Sequence, residues 1–281
     1  MMEMIYSLMD TLLPFDWAAY TFMKHAFLAI LCITPLFGLL STMVVSNRMA
    51  FFSDSLGHGA FTGIAIGVLL GSVSPLFSLI IFSVAFAVFI TYIKNKSTAS
   101  TDTIIGVFSS TAIALGLMIM SRGGGFNKFS SFLIGDVLSI TVEDLQGLLV
   151  VVAVVLLGWA VLFNRLLVLS INSAFARSRG ISTFWVESLF AALLAVVVSV
   201  SIQWVGILII NALLVLPAAA ARNVTNTVKS YQLLSVAIAL TAGISGLLLA
   251  YYCNMAAGAT IVVFSALIFF VTLLLKSRFA R

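Results

Sequence analysis

Ser53-Asp54-Ser55-Leu56-Gly57-His58-Gly59-Ala60-Phe61-Thr62-Gly63 opens a hydrophobic run that continues to Gly71. An aspartate and a histidine four residues apart fall on one face of a helix, about one turn apart along its axis. Beside them Ser55, Gly59, Gly63, Gly67 and Gly71 repeat every four residues. Small residues at that spacing let another helix backbone approach closely, the contact from which transmembrane bundles are built. Asp54, His58 and Thr62 form the adjacent stripe, about 100° round the helix. One stripe therefore packs, and the next presents polar groups beside the contact.

The surrounding chain decides the solvent. Of 281 residues, 62% are hydrophobic and 8% charged, with a mean hydropathy of +1.23; a soluble domain carries about 25% charged residues. The chain is a polytopic membrane protein. A net charge of +5 would suggest nucleic acid in a soluble chain, but the basic residues sit in short loops between apolar runs and act as topology signals. Cys32 and Cys253 lie in or beside different apolar runs with no CxxC spacing, which indicates neither a disulfide framework nor a zinc knuckle. The first fourteen residues carry acids and no basic stretch, unlike a cleaved signal peptide.

Runs long enough to cross a hydrocarbon core, about 17 to 24 residues, fall at 22–45, 55–71, 75–93, 103–121, 145–163, 185–202, 204–221, 231–251 and 258–275. The expectation is about nine crossings, with eight as the alternative, because the break at Gln203-Trp204 suits either one bent element or two. Eleven of the fourteen Lys and Arg (48, 94, 96, 165, 177, 179, 222, 229, 276, 278 and 281) share one side of these crossings; Lys24, Arg122 and Lys128 fall on the other. The positive-inside rule makes the first side cytoplasmic, with the C-terminus inside and, for nine crossings, the N-terminus outside. Six acids, Glu3, Asp10, Asp16, Asp136, Glu143 and Asp144, fall outside. Such a rim either concentrates cations or a basic partner, or reflects nothing more than tolerance of acids there.

Two readings of Asp54 and His58 stand side by side. An ionisable residue inside the bilayer costs a few kcal/mol unless it faces a partner or water, and a carboxylate with an imidazole is half of a divalent-cation site suited to zinc, manganese or ferrous iron. Alternatively, Asp54 in a first helical turn interacts with the helix dipole, and His58 is a packed histidine. His25 beside Lys24 is read as interfacial, with an outer-gate ligand as the alternative. Asp102 is read as a first-turn acid, and Asn211 as the donor or acceptor of an interhelical hydrogen bond.

Elsewhere, Ser121-Arg122-Gly123-Gly124-Gly125 is a flexible outer loop whose glycines are not followed by Gly-Lys-Ser/Thr, so it is no phosphate-binding loop. Any ATP used must be hydrolysed by another chain. The stretch 129–140 is apolar but too short to span, and is expected to be a re-entrant or interfacial outer helix. Asn172-Ser173-Ala174-Phe175-Ala176-Arg177-Ser178-Arg179-Gly180 has N-cap residues, a small-residue body and a terminal glycine, the pattern of a short surface helix. Spacing alone leaves open whether it docks a partner or merely connects. Pro217 followed by four alanines permits a kink and tight packing.

Arg48-Met49-Ala50-Phe51-Phe52-Ser53-Asp54-Ser55-Leu56-Gly57-His58-Gly59-Ala60, Asp102-Thr103-Ile104-Ile105-Gly106, Phe132-Leu133-Ile134-Gly135-Asp136-Val137-Leu138 and Leu214-Val215-Leu216-Pro217-Ala218-Ala219-Ala220-Ala221-Arg222 together resemble the permease subunit of bacterial zinc/manganese/iron ABC importers, over nearly the whole chain and in order. The resemblance implies an all-α transmembrane bundle of about eight to nine spans, type II importer-like, in a single domain over 1–281 of the cytoplasmic membrane. It implies a second copy, cytoplasmic ATPase subunits and an extracytoplasmic metal-binding protein as partners. Lipid surrounds it, nucleic acid plays no part, and it has no catalytic role. It matches Asp54 and His58 to transient metal ligands, and Ser173, Ala174, Phe175, Ala176, Arg177 and Gly180 to a coupling helix over 173–180. No permanent cofactor is implied; the cargo is Zn2+, or Mn2+ or Fe2+, with zinc favoured. Gly57 and Gly59 depart from the family's commoner small residues and are expected to loosen the helix. A permease for a siderophore or cobalamin chelate and a stand-alone secondary transporter are the competing functions.

Overall fold

In an apolar solvent every backbone N–H and C=O must find a partner within the chain, and an apolar run answers by becoming helix. The computed structural model describes residues 2–12, 15–71, 75–123 and 135–279, and among them are eleven α-helices and two single 3-10 turns. They are α1 (Met2–Leu12), the turn Asp16–Ala19, α2 (Thr21–Ser46), α3 (Ala50–Leu70), α4 (Pro75–Lys96), α5 (Thr101–Gly123) and the turn Val137–Ser139. After them come α6 (Val142–Ile171), α7 (Ser173–Ser178), α8 (Thr183–Val205), α9 (Ile207–Val224), α10 (Val228–Cys253) and α11 (Ala257–Phe279). Local chemistry sets several ends. Thr141 and Asp144 form a reciprocal capping box at the start of α6, Thr227 accepts from Ser230 N at the start of α10, and Asn254 in the left-handed region closes α10.

Each of the nine apolar runs is a helix. Seven described helices, α2, α4, α5, α6, α8, α10 and α11, are long and apolar enough to cross a membrane. The other two runs are α3, with 21 residues but a carboxylate, an imidazole and many glycines, and α9, with 18.

Small residues decide how close the helices come. At Gly38 of α2 a Cβ would lie 2.7 Å from Val236 Cα of α10, and at Gly246 of α10 one would lie 2.5 Å from Ile261 Cα of α11. Between the first pair, Ser41 and Ser235 hydroxyls meet at 3.0 Å. α2 also packs on α9 and α6, while α3 packs on α4, α5, α8 and α9, and α8 on α4 and α6. Two-thirds of the apolar window of α2 and of α8 is buried, against 22% for α6. The first two are therefore the bundle's centre, and α6 is at its rim.

The break near Gln203-Trp204 is two helices, divided at Gly206, whose φ of 84° is a conformation that favours glycine. Of the outer helix expected over 129–140, residues 135–140 hold one 3-10 turn capped by Asp136, and 129–134 lie outside the described residues. Gly135 sits directly on the Gly206 backbone, so this segment covers the α8–α9 break.

α1 has no counterpart in the sequence reading. Its Asp10 pairs with Lys24 at 2.6 Å, and its Tyr6 hydroxyl meets His25 Nε2. His25 Nδ1 donates to Ile140 O at 2.9 Å, which leaves Nε2 to accept from Tyr6. Both nitrogens are thus engaged in joining α1, α2 and the 135–140 segment. Three of the six acids at this end are also used locally: Asp10 on Lys24, Asp136 on Leu138 N and Asp144 in the capping box.

Candidate metal-transit site and coupling segment

α3 begins where Arg48, itself in the left-handed region at φ 57°, turns the chain after α2. Most of α3 is buried on its neighbours. Ser55 and Gly59 are buried, and a Cβ on Gly59 would lie 2.8 Å from the Phe86 ring of α4. At Gly63 a Cβ would lie 3.0 Å from Leu79 Cα. The glycine ladder therefore brings α4 close. The side chains it meets there, Leu79, Phe82 and Phe86, are apolar, so the ladder is a packing device and brings no metal donor from α4. Gly59 makes room for the Phe86 ring.

Thr62 also leaves the polar stripe. It is 1% exposed, and its hydroxyl donates to Ala112 O of α5, where Gly116 lets the two helices approach.

Asp54 and His58 remain together on the open face. His58 Nε2 lies 3.7 Å from Asp54 Oδ2, with side chains 32% and 43% exposed, and Phe51 one turn earlier is 65% exposed. Apart from the exposed last turn at Val68, Leu69 and Leu70, α3 is enclosed by protein, and the strip of Phe51, Asp54 and His58 is left open on its first half. Asp54 also borders a groove of about 400 Å3 shared with Asn211, Val215 and Leu216 of α9. Asn211 makes the expected interhelical contact, its Oδ1 lying 3.0 Å from Ser53 Oγ. Among the described residues no group of three or more His, Cys, Asp or Glu side chains converges. The pair supplies one nitrogen and one carboxylate, enough to hold a divalent cation only if other donors join it.

At the end of the bundle that carries Arg48 and Lys94, the 173–180 stretch folds as read. Asn172 Oδ1 accepts from Ala174 N at 2.8 Å and Phe175 N at 3.1 Å. Gly180 at φ 74° reverses the chain, and Ile181 N returns to Ala176 O at 3.0 Å. Ala176 is fully buried, while Phe175 is 46% exposed beneath the Arg179 guanidinium, 4.8 Å from its ring. A polar cavity of about 460 Å3 separates α7 from Arg48 and Glu187, and Glu187 in turn binds Lys94 at 3.0 Å. Asn172→Ala removes the single side-chain oxygen that accepts from both first-turn N–H groups. It is expected to cost about 1 kcal/mol locally, seen as faster proteolysis or hydrogen exchange confined to α7.

These features describe a multi-pass helical membrane bundle with an aspartate–histidine pair on an open face of α3. The chain belongs to the ABC 3 transport family, whose model matches residues 19–276. It is 30% identical over 264 residues to the manganese import system permease protein ScaB of Streptococcus gordonii, covering 93% of this chain and 95% of the relative. It is 29% identical over 251 residues to the high-affinity zinc uptake system membrane protein ZnuB of Buchnera aphidicola, covering 89% and 96%. Among solved structures, PsaBC from Streptococcus pneumoniae in complex with Fab matches with a TM-score of 0.79 and 29% identity, over 90% of this chain and 91% of that one.

Proposed function

We propose that this chain is the permease subunit of an ATP-binding-cassette importer that moves divalent transition metal ions across the cytoplasmic membrane, zinc favoured and manganese or iron also carried. The observation that carries the reading is the open Asp54–His58 pair. Ionisable side chains on an uncovered intramembrane strip are too costly to leave against lipid, so a second copy covers them. Two ligands from each of two copies make four, enough for a zinc-like shell. The partial exposure of both side chains suits a transit site, which must release what it binds.

In this reading α3 and α9 complete nine crossings, and the end bearing Arg48, Lys94 and α7 is cytoplasmic. Its ATPase subunits dock on Ser173, Ala174, Phe175, Ala176, Arg177 and Gly180. A metal-binding protein delivers the ion at the opposite face. The capped, arginine-braced α7 is joined to α6 with Asn172 as the link between them, which supports its use as a rigid lever. The similar identities to a zinc and a manganese permease support the metal class and leave zinc resting on the donor set, since an open nitrogen and oxygen site ranks zinc above manganese.

The test is uptake of radiolabelled Zn2+ and Mn2+ in cells with and without the chain, paired with its affinity purification. Expected results are metal uptake that depends on the chain and recovery of an ATPase subunit with it. Uptake equal in both strains for every divalent metal would overturn the proposal.

A further inference from the structure

Ser53 and Asn211 hold a detail that the Asp54–His58 pair does not explain. Ser53 Oγ lies 2.7 Å from Ala50 O and 3.0 Å from the Asn211 side-chain oxygen, yet a hydroxyl has one proton to give. The shorter contact, to a helix carbonyl that cannot donate, takes that proton. Oγ is then an acceptor, and the Asn211 amide satisfies it by turning its NH2 toward Ser53. A terminal amide turned by 180° occupies the same space. Its oxygen then leaves Ser53 and is free to serve the groove that Asn211 and Asp54 both line.

We propose, resting on the metal-transport reading above, that Asn211 Oδ1 is a third metal-facing donor and that it sets how well the site accepts manganese. A carboxylate and an imidazole from each of two copies close a four-coordinate shell, which zinc prefers. Manganese prefers an octahedral, oxygen-rich shell. A carbonyl oxygen from each copy raises the donors from four to six with neutral oxygens, adding no charge that would slow release. Ser53 is the positioning residue: its hydroxyl, held by Ala50 O, keeps the amide nitrogen turned away from the ion. Asn211 is half-buried on α9 and shares a groove with Asp54, so this donor comes from a different helix from the other two.

The test uses intact cells containing the whole transporter, at matched permease levels in the membrane, with limiting radiolabelled Mn2+ or Zn2+. Asn211→Leu keeps the volume and removes the oxygen. Mn2+ uptake is expected to fall about tenfold, at the lower end of what losing a ligand-shell group costs, and Zn2+ uptake to change much less. Asn211→Asp restores an oxygen in either orientation and is expected to retain Mn2+ uptake. Ser53→Ala is expected to shift the Mn2+ to Zn2+ ratio in the same direction as Asn211→Leu, by a smaller factor. An equal fall for both metals in Asn211→Leu, the signature of a merely structural hydrogen bond, overturns the proposal, as does no change for either. Asp54→Ala, measured alongside, separates the two levels: if it abolishes uptake while Asn211→Leu alters nothing, the third donor fails and the transport site stands.

Discussion

Asp54→Ala and His58→Ala are each expected to lower Zn2+ and Mn2+ uptake about 100-fold at limiting metal, with the permease still present in the membrane at normal levels. The magnitude follows from what the residues do. Groups that merely orient a metal ligand cost 10- to 100-fold when removed, about the range seen across metal sites, and a ligand itself belongs at its upper end. Because Asp54 and His58 are on an uncovered strip of α3 and not in its packed faces, replacing either leaves the contacts with α4 and α5 untouched. Stability should hold or rise, since an apolar side chain replaces an ionisable one inside the bilayer. The combination of full abundance with lost transport is therefore the informative outcome. Normal uptake in both variants would sink the ligand assignment.

The two variants should also differ from each other in rescue. His58→Asp keeps an anionic oxygen donor and is expected to recover part of the Mn2+ uptake, while Zn2+ recovers less because imidazole nitrogen is lost. A packed histidine with no ligand role would give no such metal-dependent split.

The helical period made the Asp54–His58 face legible before any coordinates, because an i, i+4 pair lies on one stripe wherever the helix is placed. What the spacing could not say is which neighbour each stripe meets. The glycines at 59 and 63 announce a close contact, but only the folded chain identifies its partner as α4, through Phe86 and Leu79. Thr62 shares the polar stripe by periodicity and leaves it because Gly116 brings α5 within reach of its hydroxyl. Asn211 was legible as a hydrogen-bonding residue and not as a neighbour of Asp54, since 157 positions separate them along the chain. The nine helices followed from apolar runs, whereas α1 did not: eleven residues are too few to register as a span, and what orders them is the tertiary grip of Lys24 and His25. At Gly206 the ambiguity was physical, because glycine is common within transmembrane helices and only a positive φ makes it a break.

That break carries the largest expected effect on stability. Gly135→Ala is expected to cost about 3 kcal/mol or more, combining left-handed strain with overpacking. A Cβ there would lie 2.3 Å from both Gly206 N and Val205 C, and 2.6 Å from Trp204 O. All three are backbone atoms at the junction of two helices, so no side-chain rotation can relieve the contact. Gly135 also sits at φ 73°, which a residue with a Cβ adopts at a cost. The 135–140 segment must then lift from the α8–α9 junction, and because Ile140 O accepts from His25, the grip on α1 loosens with it. Thermal unfolding in detergent should report the loss, and protease cleavage should increase near α1 as well as near 135–140. Gly147→Ala in α6 is the matched control: nothing lies within 4 Å of its Cβ position, and alanine is the better helix former by about 1 kcal/mol. A Gly135→Ala protein as stable as the Gly147→Ala protein would show that the segment does not seat on the junction as the backbone contacts require.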